Sequence, residues 1–123
     1  TTGTGNALFG YRAGKNIMAS TSYSVAVGRD ALGGTHVTAV SDYNVAIGYA
    51  TMFQNTTGVQ NVAVGYNTLN ANTIGQYNTA VGYSALSTNT TGIGNAAVGR
   101  NALGFSTIGR YNAAIGYETL RYN

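Results

Sequence analysis

The 123-residue sequence contains no cysteine and no proline, and only 7% of its residues are charged. Catalytic triads, paired carboxylates and metal sites all need converging titratable groups, and the chain has three acidic residues and one histidine. We therefore expect no enzyme activity, no metal and no cofactor. The lack of proline is typical of a chain whose segments all donate backbone N–H groups to a neighbour. The lack of cysteine is compatible with an extracellular setting but does not decide it.

Glycine is abundant, with 18 residues, and it marks an internal repeat. The phrase Asn-x-Ala-[Val/Ile]-Gly recurs, in places in degenerate form, and it ends at Gly10, Gly28, Gly48, Gly65, Gly82, Gly99 and Gly116. Successive spacings between these glycines are 18, 20, 17, 17, 17 and 17 residues. A second phrase, typified by Asn55-Thr-Thr-Gly58, lies between the later copies and keeps the same step. Two motifs that repeat with the same step, at a constant distance from each other, indicate that one structural unit is stacked repeatedly.

The unit is too short and too rich in glycine to be a pair of helices. Its apolar stretches, such as Val62–Val64 and Thr79–Val81, have three residues and are each ended by glycine. A coil with two short strands and two Gly/Asn turns fits one rung of a solenoid, in which coils stack about 4.8 Å apart. We predict an all-β parallel β-solenoid, a single repeat domain over 1–123, with about seven rungs of mostly 17 residues. The rungs start near positions 6, 24, 44, 61, 78, 95 and 112, and the rung at 24–43 is irregular and longer.

Each position of the repeat forms a column in such a stack. The asparagine column predicts a structural ladder of side-chain amides that bond adjacent rungs and the turn backbone. Its members are Asn44, Asn61, Asn78, Asn95 and Asn112. The glycines that end the phrase predict corners with a positive φ or a close approach of two backbones. These corner glycines are Gly48, Gly65, Gly82, Gly99 and Gly116.

Two apolar columns alternate along the predicted strand, so they face opposite sides of it. One column is alanine and the other is valine or isoleucine. Either can fill the lumen together with the leucines, and the other needs a cover, most simply other copies of the chain. The residues predicted to form the core or a subunit interface are Val64, Val81, Val98, Ile115, Leu69, Leu86, Leu103 and Leu120.

A further column carries tyrosine and arginine and predicts a stripe along the rod. Its regular members are Tyr49, Tyr66, Tyr83, Arg100 and Tyr117, and Tyr11 and Arg29 continue it in the first rungs. The stripe could stack on sugars or bases of a ligand. The alternative is that these side chains stack on one another and support the rod. The charges are too few and too scattered to favour nucleic-acid binding.

The phrase resembles the head repeats of trimeric autotransporter adhesins of the YadA type. Its fuller form, Asn78-Thr-Ala-Val-Gly-Tyr-Ser-Ala-Leu86, is similar to repeats of phage tail fibres. The resemblance implies a left-handed β-roll that forms homotrimers and is a fragment of a longer fibre. It also implies an extracellular location on a bacterial surface or a virion, no membrane insertion, and attachment to a glycan or protein of a host surface or matrix. An alternative is a purely structural filament whose rods stack end to end.

The remaining candidate sites are weaker. Asp30, His36 and Asp42 lie in the irregular rung, which contains the segment 33–43; we expect a surface loop there and, as the alternative, a ligand or weak metal contact. The Asn-Thr-Thr sequences at Asn55 and Asn89 match a glycosylation sequon, but we interpret them as turns. A column of threonines suggests an ice-binding solenoid as a third function. Its flat two-column face is missing, because glycine occupies the column two residues on. The threonines are Thr56, Thr73, Thr90 and Thr107.

Overall fold

The fold is the predicted parallel β-solenoid. A computed structural model describes residues 4–15, 17, 22–34 and 41–123. Seven parallel strands form one sheet in chain order and make about six turns. The described residues contain no helix, and hence none that could span a membrane. The strands are β1 (Ala7–Phe9), β2 (Val25–Val27), β3 (Val45–Ile47), β4 (Val62–Val64), β5 (Thr79–Val81), β6 (Ala96–Val98) and β7 (Ala113–Ile115).

Neighbouring strands pair residue for residue in the register of the repeat. Ala63 lies opposite Ala46 and Ala80, so the alanine column continues through the sheet without a slip. Strands β1 and β2 are 18 residues apart and β2 and β3 are 20 apart, yet both pairs keep the same alignment. The extra residues of the first rungs therefore lie outside the strands.

Each described rung carries one strand, whereas the sequence predicted two. The rest of the rung turns through residues with left-handed backbone conformation, for example Asn67 (φ 55°) and Leu69 (φ 49°). This conformation costs roughly 1–2 kcal/mol for a residue with a side chain. It also sends backbone donors to both neighbouring rungs. Asn67 N donates to Tyr49 O at 2.9 Å, and Leu69 N donates to Ala85 O at 3.0 Å.

The lumen is filled by small and medium-sized side chains. The alanine column faces inward and is fully buried from Ala26 to Ala97, with Ala114 only 1% exposed. Met52, Leu69, Leu86 and Leu103 complete the apolar core, and each is fully buried. The structure thus decides which apolar column lies inside: alanine does, and the valine and isoleucine column lies on the outer side of the sheet. Leu120, in the last rung, is 46% exposed.

Candidate interaction faces

The asparagines that precede the strands form a continuous column, here called the strand-side column, in which all but the last are buried: Asn44, Asn61, Asn78, Asn95 and Asn112. The Asn61 side-chain oxygen accepts hydrogen bonds from Asn78 N at 2.9 Å and Asn78 Nδ2 at 3.2 Å. Asn78 Nδ2 also donates to Gly92 O at 2.8 Å. The amides of Asn61, Asn78 and Asn95 therefore each join the rung before, the rung after and a turn. Buried amides need such partners, because an unpaired one costs about 1–3 kcal/mol.

A second asparagine column, the turn-side column, was missed by the sequence prediction as a ladder. It contains Asn55, Asn72 and Asn89 and ends at Ser106. Asn72 Nδ2 donates to Asn55 Oδ1 at 2.7 Å and to Gly75 O at 3.1 Å. Asn89 Nδ2 donates to Asn72 Oδ1 at 2.9 Å. The signal was present in the sequence as a second phrase with the same 17-residue step, but its composition suggested only turns.

Burial of this column decides how its sequons are interpreted. Asn55 is 6% exposed and Asn89 is fully buried, and the side-chain amide nitrogen of each donates to a neighbouring polar group. A glycosylated asparagine must present its amide to solvent. The folded chain does not present these two amides, so they are structural.

The corner glycines have both properties that the sequence predicted. From Gly48 to Gly116 their φ angles lie between 127° and 136°. The backbones of successive corners are also close, since a Cβ on Gly82 would lie 2.7 Å from the carbonyl oxygen of Gly99. A side chain there would be strained in conformation and would clash with the next rung. The corner column therefore lets the rungs approach to strand spacing.

The tyrosine and arginine stripe is a stack of side chains on the surface. Tyr66 lies between Tyr49 and Tyr83, with ring centroids 5.1 and 5.0 Å apart and planes within 11° of parallel. Arg100 continues the column, with its guanidinium carbon 5.4 Å from the ring centre of Tyr83 and 5.8 Å from that of Tyr117. The ring faces inside the stack are thus covered by neighbours. A ligand would meet ring edges and hydroxyl groups there, not ring faces on which a sugar or base could stack.

A second aromatic column, missed from the sequence, precedes the strand-side asparagines. Tyr23 and Tyr43 stack with centroids 5.2 Å apart. The column is then interrupted, since Gln60 and Gly94 alternate with Tyr77 and Tyr111. The ring of Tyr111 covers Gly94, where an added Cβ would lie 2.8 Å from Tyr111 Cδ1. Short stacks and isolated tyrosines therefore occur in the same molecule.

The outward side of the sheet is apolar and uncharged. One of its two columns, at the third position of each strand, is valine or isoleucine in β2 to β7. In this column Val64 and Val81 are half-buried, Val98 is 38% exposed and Ile115 is 77% exposed. The other outward column holds Val45, Val62, Thr79, Ala96 and Ala113. Residues 43–99 contain no charged side chain at all. We call this surface the strand face; Thr79 is its one polar residue between 43 and 99, and no charge there would oppose another apolar surface.

Among the described residues near the irregular rung, two arginines lie beside Asp30. Arg12 Nε lies 3.2 Å from Asp30 Oδ1, although the pair lacks hydrogen-bond geometry, and Arg29 Nε lies 3.4 Å from Asp30 Oδ2. Asp42 Oδ1 accepts a bond from Ser22 N at 2.6 Å. His36 lies outside the described residues, as do positions 35–40 around it. Over the described residues, no three metal-binding side chains converge.

The threonine column uses its hydroxyl groups within the stack. Thr56 Oγ1 donates to Thr73 O at 2.9 Å, and Thr73 Oγ1 donates to Thr90 O at 3.1 Å. These bonds tie the rungs together along the turn side. The described surface also shows no pocket. The features that a partner could contact are therefore extended faces: the strand face, the tyrosine stripe and the threonine column.

Comparison of the chain with protein families, with curated proteins and with solved structures finds no match in any of the three.

Proposed function

We propose that this chain is a non-catalytic, rigid segment of a surface adhesin or phage tail fibre. In this proposal three copies associate side by side, and the assembled rod presents a repeated surface for attachment to a glycan or protein of a host cell or matrix. Its setting is extracellular, on a bacterial surface or a virion. The observation that carries the proposal is the strand face, which is apolar, uncharged and uncovered in a single chain.

The size of the strand face supports a role in association. Seven strands about 4.8 Å apart extend over about 29 Å, and two outward columns make a strip about 10 Å wide. That strip of roughly 300 Å² matches the largest apolar patch of an ordinary monomer. The tyrosine columns on both flanks enlarge it, because Tyr66 and Tyr77 are half exposed and their rings are largely apolar. With the tyrosine rings included, the apolar surface exceeds the few hundred Å² of a typical single patch, as is common for an interaction surface.

Rigidity follows from the way in which the rungs are joined. Strand pairing connects every rung to the next, and in the middle rungs two asparagine columns and the tyrosine stack add further contacts. Stability of a solenoid is a sum of such neighbour contacts. A stack of this kind transmits force along its axis and repeats the same surface at every rung, which are the properties that a fibre segment needs.

The test is a set of three matched substitutions measured by sedimentation velocity. Val64→Glu and Val81→Glu place a charge on the strand face, and Ile74→Glu places the same charge on an exposed position of the turn side, where Ile74 is 49% exposed. We expect the wild type and Ile74→Glu to sediment as trimers and the two strand-face variants to dissociate. Dissociation by all three, or by none, would contradict association through the strand face.

The threonine column supports ice binding less well. Its described hydroxyl groups donate to carbonyl oxygens of the next rung and are directed along the stack. Absence of thermal hysteresis in solutions of the chain is the expected result.

A further inference from the structure

The ten tyrosines divide into two equal groups. All ten are exposed, between 42% and 79%. Five have a tyrosine ring stacked on them, in one pair and one triplet: Tyr23 and Tyr43, and Tyr49, Tyr66 and Tyr83. In the described part of the chain the other five have no tyrosine neighbour of this kind: Tyr11, Tyr77, Tyr111, Tyr117 and Tyr122.

Tyrosine is also the main oxidisable side chain of this surface. The sequence has no cysteine and no tryptophan, and Met52 is fully buried. The exposed phenols are therefore the groups that a one-electron oxidant would reach first on the described surface. We propose that the two tyrosine stacks are sites of oxidative cross-linking, at which a haem peroxidase with hydrogen peroxide joins rings of adjacent rungs as dityrosine.

The reaction balances without any other reagent. Each of two phenols loses one electron and its hydroxyl proton and becomes a phenoxyl radical. The two radicals combine and form a carbon–carbon bond between the positions next to the hydroxyl groups. The hydrogen on each of these carbons then moves as a proton to the neighbouring oxygen, which restores both phenols. Hydrogen peroxide takes up the two electrons and two protons and leaves as two molecules of water.

The stacks direct this coupling to neighbours in the same chain. Tyr66 has ring centroids of its partners at 5.1 and 5.0 Å, and Tyr23 lies 5.2 Å from Tyr43. Exposed side chains change rotamer within picoseconds to nanoseconds, so two rings at this distance can reorient until the reacting carbons meet. A partner held this close acts as a very high local concentration. An isolated tyrosine must instead meet another molecule.

Each link joins residues 17 or 20 positions apart, since it connects Tyr49 to Tyr66, Tyr66 to Tyr83 or Tyr23 to Tyr43. It restricts the unfolded chain as a disulfide of the same loop length does. A chain without cysteine has no disulfide, so dityrosine would supply the covalent tie between rungs. This inference does not rest on the proposed function, because it requires neither a trimer nor a ligand, although a trimer packed through the strand face would limit access to the stacks.

The test treats the dilute protein with a haem peroxidase and hydrogen peroxide. Dityrosine is followed by its fluorescence, and species of single-chain mass are isolated under denaturing conditions for peptide mapping. We expect links between Tyr23 and Tyr43, and between Tyr66 and either Tyr49 or Tyr83. We also expect the cross-linked chain to unfold at a higher temperature than a sample treated with enzyme alone.

Two conservative variants make the assignment specific. Tyr66→Phe keeps a ring in the stack but cannot couple, so links within the triplet should be lost while the link between Tyr23 and Tyr43 remains. Tyr77→Phe is the matched control, because its column neighbours are Gln60 and Gly94, and it should leave the single-chain yield unchanged. Links that involve Tyr77, Tyr111 or Tyr117 as often as the stacked residues would overturn the proposal. So would an unchanged triplet yield in Tyr66→Phe, or no gain in unfolding temperature.

Discussion

The two asparagine columns have the same side chain in the same lumen, yet their amides hydrogen-bond different groups. In the strand-side column, Asn78 bonds Asn61, the backbone N–H of Asn95 and a turn carbonyl. In the turn-side column, Asn72 bonds the side chains of its two neighbours and the carbonyl of its own turn, Gly75. Only the strand-side column also satisfies a backbone donor of the next rung. The strand-side column therefore fixes the path of the backbone. The turn-side column fills the lumen, and its amides bond one another and the carbonyl of their own turn.

The largest effect is expected from Asn78→Ala. The substitution leaves Asn95 N without its acceptor, and Gly92 O keeps only the longer bond from Asn89 Nδ2 at 3.5 Å; both groups lie in the buried stack. At about 1–3 kcal/mol for each buried group left unpaired, we expect a loss of roughly 3–5 kcal/mol in the free energy of unfolding. Urea denaturation at one fixed protein concentration measures it, since association alters apparent stability. A loss below about 1 kcal/mol would contradict the role given to this column.

Asn72→Ala should cost less, about 2–3 kcal/mol. It leaves Asn55 Oδ1 without its donor and Asn89 Nδ2 with only its 3.5 Å bond to Gly92 O. Gly75 O keeps the bond from Asn61 Nδ2 at 2.9 Å, and no backbone donor is lost. The measurement is the same denaturation series, run beside Asn78→Ala. If Asn72→Ala proved the more damaging of the two, the distinction between the columns would be wrong.

Ser106→Asn should stabilise the chain by about 1 kcal/mol. The turn-side column ends there, and both Asn89 Oδ1 and Ser106 Oγ are buried without a partner. An asparagine at 106 repeats the three preceding rungs and gives Asn89 Oδ1 a donor. The matched control is Ser106→Ala, which removes one unpaired group but leaves the other. An asparagine variant no more stable than the alanine variant would show that the position cannot hold the longer side chain.

The smallest effect should come from a hydroxyl group outside both columns. Thr73→Val removes the bond from Thr73 Oγ1 to Thr90 O, at a half-buried site that water reaches. Water can replace the lost donor, so we expect a change of no more than about 0.5 kcal/mol. A loss comparable to that of Asn72→Ala would mean that the turn side is held as tightly as the lumen.

The sequence alone predicted the architecture because the signal repeats. Val62–Val64 and Thr79–Val81 were predicted from three-residue apolar stretches and are strands with those bounds. The second strand of each rung was a wrong prediction, because residues such as Leu69 adopt a left-handed turn that composition does not reveal. Which apolar column lies inside is decided only by the structure. The alternation of side chains along a strand shows that the two columns face opposite sides, but not which of them faces the lumen.

The turn-side column shows a different limit of sequence interpretation. Asn-Thr-Thr-Gly is typical of an exposed turn, and Asn55 and Asn89 were interpreted as turn residues. They do lie at turns, but their side chains point into a stack of rungs and not into water. Burial of this kind arises only from the neighbouring rungs, so no local rule finds it. A 17-residue step shared by both phrases was the one indication that the second phrase also forms a ladder.

Small-angle X-ray scattering on the wild-type chain, on an absolute intensity scale, tests the central claim most directly. Forward scattering gives the mass, and the cross-section shows whether rods lie side by side. Three rods packed through the strand face should give three times the chain mass of 12.7 kDa, with a thickened cross-section and a length of about 29 Å. The mass and cross-section of a single thin rod at all concentrations would contradict association through the strand face. A thin particle of growing length would point to end-to-end stacking instead.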